Sequence, residues 1–148
     1  MKMILTLTLI ISSCIGLIGC GRIPKEGNYL VFKGEHTNCG LLSSEEDYWS
    51  STTFELNRNG ELKMQKKYNL SGIQEKTVQL TDEQVSYVCE IMESQKYEFD
   101  KFDGNDGSVW DFNYYDDKGK EISDYSGYIY HNEKFLELEK FLYSHFND

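Results

Sequence analysis

The chain contains no alanine and a single proline, and it is short of cations: 15 Lys plus Arg stand against 25 Asp plus Glu, a formal charge of -10 over 148 residues. The shortage of cations excludes a protein that tracks nucleic-acid phosphates, because such binding replaces counterions with a stripe of Lys and Arg, and no window supplies one. The longest apolar run, residues 3–18, would make a helix of roughly 24 Å against a hydrocarbon core of about 30 Å, which disfavours a permanent transmembrane helix. No serine-hydrolase elbow, metalloprotease helix, P-loop or dinucleotide fingerprint occurs, which weakens an enzymatic reading without abolishing it. The missing alanine, beside abundant Lys, Asn, Ile and Tyr, fits an AT-rich genome and says nothing about mechanism. What is present is a 39% hydrophobic fraction with 2 Trp, 11 Tyr and 8 Phe, enough for a packed core in one domain.

The first residues have the form of an export signal: one positive charge at Lys2, then the apolar run, then Leu17-Ile18-Gly19-Cys20. This ending resembles the lipobox of bacterial lipoproteins, in which an aliphatic residue, a small or aliphatic residue and a small residue precede cysteine. The resemblance implies that Cys20 is alkylated by a diacylglycerol donor and becomes the mature first residue. Two acyl chains then hold the protein firmly, where one binds only marginally. The alternative is an ordinary secretory signal in which Cys20 is incidental. The expected organisation is a lipoprotein signal peptide at 1–19, a lipidated cysteine and short tether at 20–27, and a single extracytoplasmic domain at 28–148. Removing Lys2 with the signal leaves 14 cations against 25 carboxylates, or -11, on the mature chain. The tether reaches at most ~25 Å, so the domain would sit close to the bilayer, its charge repelled by anionic headgroups.

Hydrophobic periodicity predicts an α+β domain: a mainly antiparallel sheet built from two hairpins and short strands, with two amphipathic helices packed on it. A short strand is expected at Tyr29-Leu30-Val31-Phe32, then a long loop from Glu35 to Ser51 carrying His36, Cys39, Glu45, Glu46 and Asp47. Phe54 and Leu56 on one strand face Leu62 and Met64 on the next, with Arg58-Asn59-Gly60 as a three-residue turn. A strand at 77–80 leads into the capping box Thr81-Asp82-Glu83-Gln84, and the helix to about Gln95 buries Val85, Val88, Cys89 and Met92. Trp110, Phe112 and Tyr114 alternate on one face of a strand over 108–115. The turn Asp117-Lys118-Gly119 would pair Tyr114 with Ile122, a register that sets Asp124 opposite Phe112 on the buried face. Asn132 caps a last helix that buries Phe135, Leu138, Leu142 and Phe146.

Few residues carry chemistry. Cys14 goes with the signal and Cys20 to the lipid, leaving Cys39 and Cys89 either as a disulfide, which would close a loop of about 51 residues, or as free thiols with Cys89 in the core. His36 near Cys39 suggests a thiol-base pair, or with Cys89 and His131 a zinc set. Structural zinc ordinarily shows two close ligand pairs, and only one is present. Residues 100–107 suggest a calcium loop but fail the EF-hand spacing. No metal or other cofactor is expected. Tyr115, Tyr125, Tyr128 and Tyr130 form a candidate binding surface, set against the plainer role of aromatics that stabilise a sheet. These residues support a membrane-anchored, non-catalytic binding or accessory module, of which an acidic immunity or inhibitor protein meeting a basic partner or an envelope component is the sharpest version. The alternatives are an envelope hydrolase using carboxylates or Cys39, and a purely structural lipoprotein.

Overall fold

The computed structural model describes residues 29–40, 43–94 and 107–147. The signal, the lipobox with Cys20, the tether and the Asp/Gly stretch up to Asp106 lie outside the described residues. The fold is α+β. Its elements run β1 (Leu30–Asn38), β2 (Trp49–Asn57), β3 (Glu61–Tyr68), β4 (Gly72–Gln79), α1 (Asp82–Ser94), β5 (Ser108–Tyr115), β6 (Glu121–Gly127) and α2 (Glu133–Asn147). The strands form one six-stranded sheet in the order β4-β3-β2-β1-β5-β6, and every neighbouring pair is antiparallel.

One face of the sheet is apolar because alternate residues of adjoining strands meet there: Phe54 lies opposite Met64 and Leu56 opposite Leu62 on β2 and β3. Gly60 closes the turn between them at φ 86°. A Cβ there would stand 2.5 Å from the Leu80 carbonyl oxygen, so both the conformation and the close approach require glycine. The helices lie on the same face. Thr81 and Gln84 exchange backbone and side-chain hydrogen bonds at the start of α1, at 2.9 and 3.3 Å, and Asn132 Oδ1 accepts from the Phe135 N–H at 2.9 Å at the start of α2. Helix α1 buries Val85, Val88, Cys89, Ile91 and Met92, while α2 buries Phe135, Leu138 and Leu142. No helix among the described residues is long and apolar enough to cross a membrane.

Three strand expectations are corrected. Strand β1 does not stop at Phe32 but runs to Asn38, so the loop before β2 is much shorter than 35–51. Its inward positions after Phe32 are Gly34 and His36, neither of which reads as apolar. Gly34 is glycine because a Cβ there would lie 2.7 Å from the Phe32 ring and 3.1 Å from the Trp110 ring. Strand β4 begins at Gly72, five residues earlier than expected, because this edge strand, paired on one side, is exposed throughout Gly72–Glu75 and alternates in burial only from Lys76 on. On β6 an irregularity between Tyr114 and Tyr115 shifts the register by one, so Tyr114 faces Ser123 and Phe112 faces Tyr125. Ile122 is left exposed, and Asp124 turns out opposite Asn113 instead of entering the core.

The other face of the sheet is polar and carries exposed Lys33, Glu35, Lys63, Gln65, Glu75 and Asp111. The Lys33–Glu55 pair at 3.0 Å lies there in solvent, where it adds little to stability.

Candidate functional site

The sheet has two distinct ends. Tyr29, Arg58 and Gly119 mark one, with the Arg58 N–H donating to the Tyr29 carbonyl at 2.7 Å. Asn38, Trp49, Tyr68, Ser108 and Gly127 mark the other, about 26 Å away along the nine residues of β1.

The second end holds the densest polar grouping. His36 enters the core from β1 and is 7% exposed. Its ring stacks on Trp110 at 4.5 Å with 9° between planes, and Trp49 meets it edge-on at 4.9 Å. Its Nδ1 is hydrogen-bonded to the Tyr143 hydroxyl at 2.9 Å and its Nε2 to Ser108 Oγ at 2.7 Å. The Trp49 indole N–H donates to Thr52 Oγ1 at 2.8 Å, and Thr52 in turn interacts with Tyr143. On the far side of the stack Trp110 donates its indole N–H to Glu139 at 3.1 Å. Burial holds His36 neutral by pushing its pKa down from 6.5 to about 4, and burial raises Tyr143 and Glu139 above their ordinary ranges.

Ser108, His36 and Tyr143 thus form a line of hydroxyl, imidazole and hydroxyl. The tautomer of His36 decides what the line does. With the proton on Nδ1 and donated to Tyr143, Nε2 accepts from Ser108 and the serine is the one a general base would activate. With Tyr143 donating to Nδ1, Nε2–H donates to Ser108 and the line is a fixed structural network. The indole of Trp49 can only donate, so Thr52 receives from it and has a proton free to pass toward Tyr143, which favours the second arrangement.

The sequence-predicted residues are not gathered at one site. Both ring nitrogens of His36 are taken, so His36 is neither a base for Cys39 nor a zinc ligand. Among the described residues no group of three or more His, Cys, Asp and Glu side chains is placed to hold a metal. Cys39 and Cys89 are not bonded to each other, and the structure does not bring them together. Cys39 is exposed just past β1, whereas Cys89 is buried on α1 at the opposite end, where its sulfur accepts from Arg58 Nη1 at 3.4 Å. Beside it Tyr114 donates to Glu93 at 2.7 Å.

The four tyrosines also separate. Tyr125 stacks on Phe112 at 5.0 Å beneath the helices, while Tyr115 lies on the polar face opposite Glu121. Tyr128 and Tyr130 stack on each other at 5.9 Å at the His36 end, where the Tyr130 hydroxyl accepts from the Ser108 N–H at 3.1 Å. Sequence reasoning missed Ser108, Trp49, Glu139 and Tyr143. His36 is 72 positions from Ser108 and 107 from Tyr143, and no local pattern joins them.

No protein family, curated protein or solved structure matches the chain.

Proposed function

We propose that the protein is a lipid-anchored, extracytoplasmic binding or accessory module of the cell envelope, held to the membrane through Cys20 and acting without catalysis. Its sharpest form is an acidic immunity or inhibitor protein that takes up a basic partner. In this reading two hairpins, around Gly60 and Gly119, are the frame, and two amphipathic helices are its cover. The observation that supports it is the division of polar groups: the buried histidine spends both ring nitrogens inside the fold, while Glu35, Glu45, Glu46, Glu75, Asp111 and Asp124 stand exposed. Carboxylates so placed attract and orient a cationic partner. Pull-down with the mature chain from envelope extract will recover a basic protein at low salt and several-fold less of it at high salt. Capture indifferent to salt would sink the electrostatic version.

One observation favours a hydrolase instead, the 2.7 Å approach of Ser108 Oγ to His36 Nε2. In that reading the serine proton passes to Nε2 as Oγ bonds to the electrophile and the leaving group departs. A fluorophosphonate probe, which loses fluoride when serine attacks phosphorus, then labels the folded chain and spares Ser108→Ala. No labelling of Ser108 leaves the network as structure.

A further inference from the structure

Strand β1 starts at the end of the sheet opposite His36, beside two turns that hold it. The Tyr29 carbonyl accepts the Arg58 N–H at 2.7 Å, and the Tyr29 ring lies so close over Gly119 that a Cβ on the glycine would stand 3.3 Å from its Cδ1. Arg58 Nη2 donates to the Tyr115 carbonyl at 3.5 Å, and Asp116 Oδ1 accepts the N–H groups of Lys118 at 2.9 Å and Lys120 at 2.8 Å. The start of β1, the β2–β3 turn and the β5–β6 turn are thus fastened into one corner.

This corner exposes Tyr29 and Ile122 with Lys118 and Lys120 beside them, a tyrosine with a polar tip and lysines with long stems being side chains suited to a membrane interface. Charge is even here, since Arg58, Lys118 and Lys120 stand against Asp116, Asp117 and Glu121. Attachment decides instead. Cys20 precedes Tyr29 by nine residues, a covalent reach of at most ~32 Å. The His36 end lies about 26 Å beyond Tyr29 along β1. Seating that end on the bilayer would draw the link to Cys20 almost straight at a cost in chain entropy, whereas seating the Tyr29 end asks for no such extension. Laying the polar face down is opposed: beyond the Lys33–Glu55 and Lys63–Glu61 pairs it carries Glu35, Glu75, Asp111 and Asp124 against Lys67, and anionic headgroups repel that excess. On the other side α1, which has no Lys or Arg, exposes Asp82, Glu83 and Glu90.

We propose that the Tyr29–Gly119 end is seated on the phospholipid headgroups, with Tyr29 and Ile122 entering the interface and Lys118 and Lys120 reaching its phosphates, so that the His36 end faces away from the membrane. The assignment rests on the anchored reading above and adds an orientation to it. A partner arriving from outside the membrane then meets the ends of β1 and β5 and the β3–β4 turn, while the β2–β3 and β5–β6 turns are shielded by lipid.

The test uses the processed chain from the cells that make it, carrying Cys39→Ser and one dye-bearing cysteine at a time from Asp117→Cys, Ile122→Cys, Glu45→Cys or Leu70→Cys, in phosphatidylcholine vesicles with a nitroxide quencher on the headgroups. Cys89 is buried and takes no polar maleimide. Given the separation of the two ends, quenching at 117 and 122 will exceed that at 45 and 70 about threefold. With the dye at 117, Ile122→Ser together with Lys120→Glu will lower quenching about twofold, and Leu70→Ser will leave it unchanged. Circular dichroism confirms that each variant is folded. Equal quenching at all four positions, or more at 45 and 70, overturns the orientation and keeps the anchor; quenching at 117 that ignores the double change overturns the contact. Cys20→Ser will stay in solution when the unaltered chain floats with the vesicles. If both float, or neither does, the anchored reading falls and the orientation with it.

Discussion

Trp110→Ala will destabilise the protein by about 3–5 kcal/mol, lowering the melting temperature by roughly 10–20 °C in a domain of this size. Trp110 is 2% exposed and sits where both helices' side of the sheet is most crowded: it stacks on His36, lies 5.8 Å from Phe54 and meets Phe135 edge-on at 5.2 Å. Gly34 lacks a side chain to let this ring in, so the hole left by alanine has no neighbour able to fill it. The change also removes the donor of Glu139, whose carboxyl is already raised by burial. Trp110→Phe separates the two contributions, keeping most of the ring while orphaning the carboxylate, and should cost about 1–3 kcal/mol. Urea titration followed by circular dichroism measures both. A loss under 1 kcal/mol for Trp110→Ala would show that the aromatic cluster does not anchor the fold.

Acid will weaken the fold in a defined window. His36 is depressed to about 4 in the folded protein and titrates near 6.5 when unfolded, so both states are neutral above pH 6.5 and stability is full there. As pH falls below 6.5 the unfolded chain takes a proton that the folded chain refuses. The loss grows until about pH 4, where it reaches about 3 kcal/mol, and is flat below that. Glu139 acts in the opposite sense, since a carboxyl raised by burial gains stability as pH falls through its folded value. Comparison with His36→Gln isolates the histidine: that variant is less stable at pH 7 but lacks the 6.5-to-4 decline. Denaturant midpoints at pH 7, 5.5 and 4 provide the readout, and parallel declines in the two proteins would show that other groups are responsible.

Much of the architecture is legible where apolar residues alternate without interruption. Trp110, Phe112 and Tyr114 announce β5, and Thr81 with Gln84 announces α1, because each signal is complete within a few residues. The second half of β1 is hidden for a steric reason. Its core positions are Gly34, empty so that Trp110 can approach, and His36, polar but satisfied by partners far along the chain. Asp124 falls on the core face only when the 117–119 turn is counted without the extra residue at Ile122, and one bulged residue exchanges the faces of everything after it. The grouping of His36 with Ser108 and Tyr143 is illegible for a further reason: it is created by sheet order, with β1 brought beside β5 and α2 laid across both.

That order also sets a sequence of events in time. Strand β1, the first among the described residues, is an inner strand of the finished sheet, and one of its two neighbours, β5, is separated from it in sequence by β2, β3, β4 and α1. As the polypeptide emerges, β1 through β4 can form a meander by local pairing, but β1 then borders solvent with a full row of unpaired N–H and C=O groups. Closure waits until residues 108–115 arrive, which also bring Trp110 and the partner of His36. Until then the growing chain has a sticky margin on the side that will become its interior, and any delay between residue 80 and residue 108 prolongs the period in which a neighbouring chain can pair there instead.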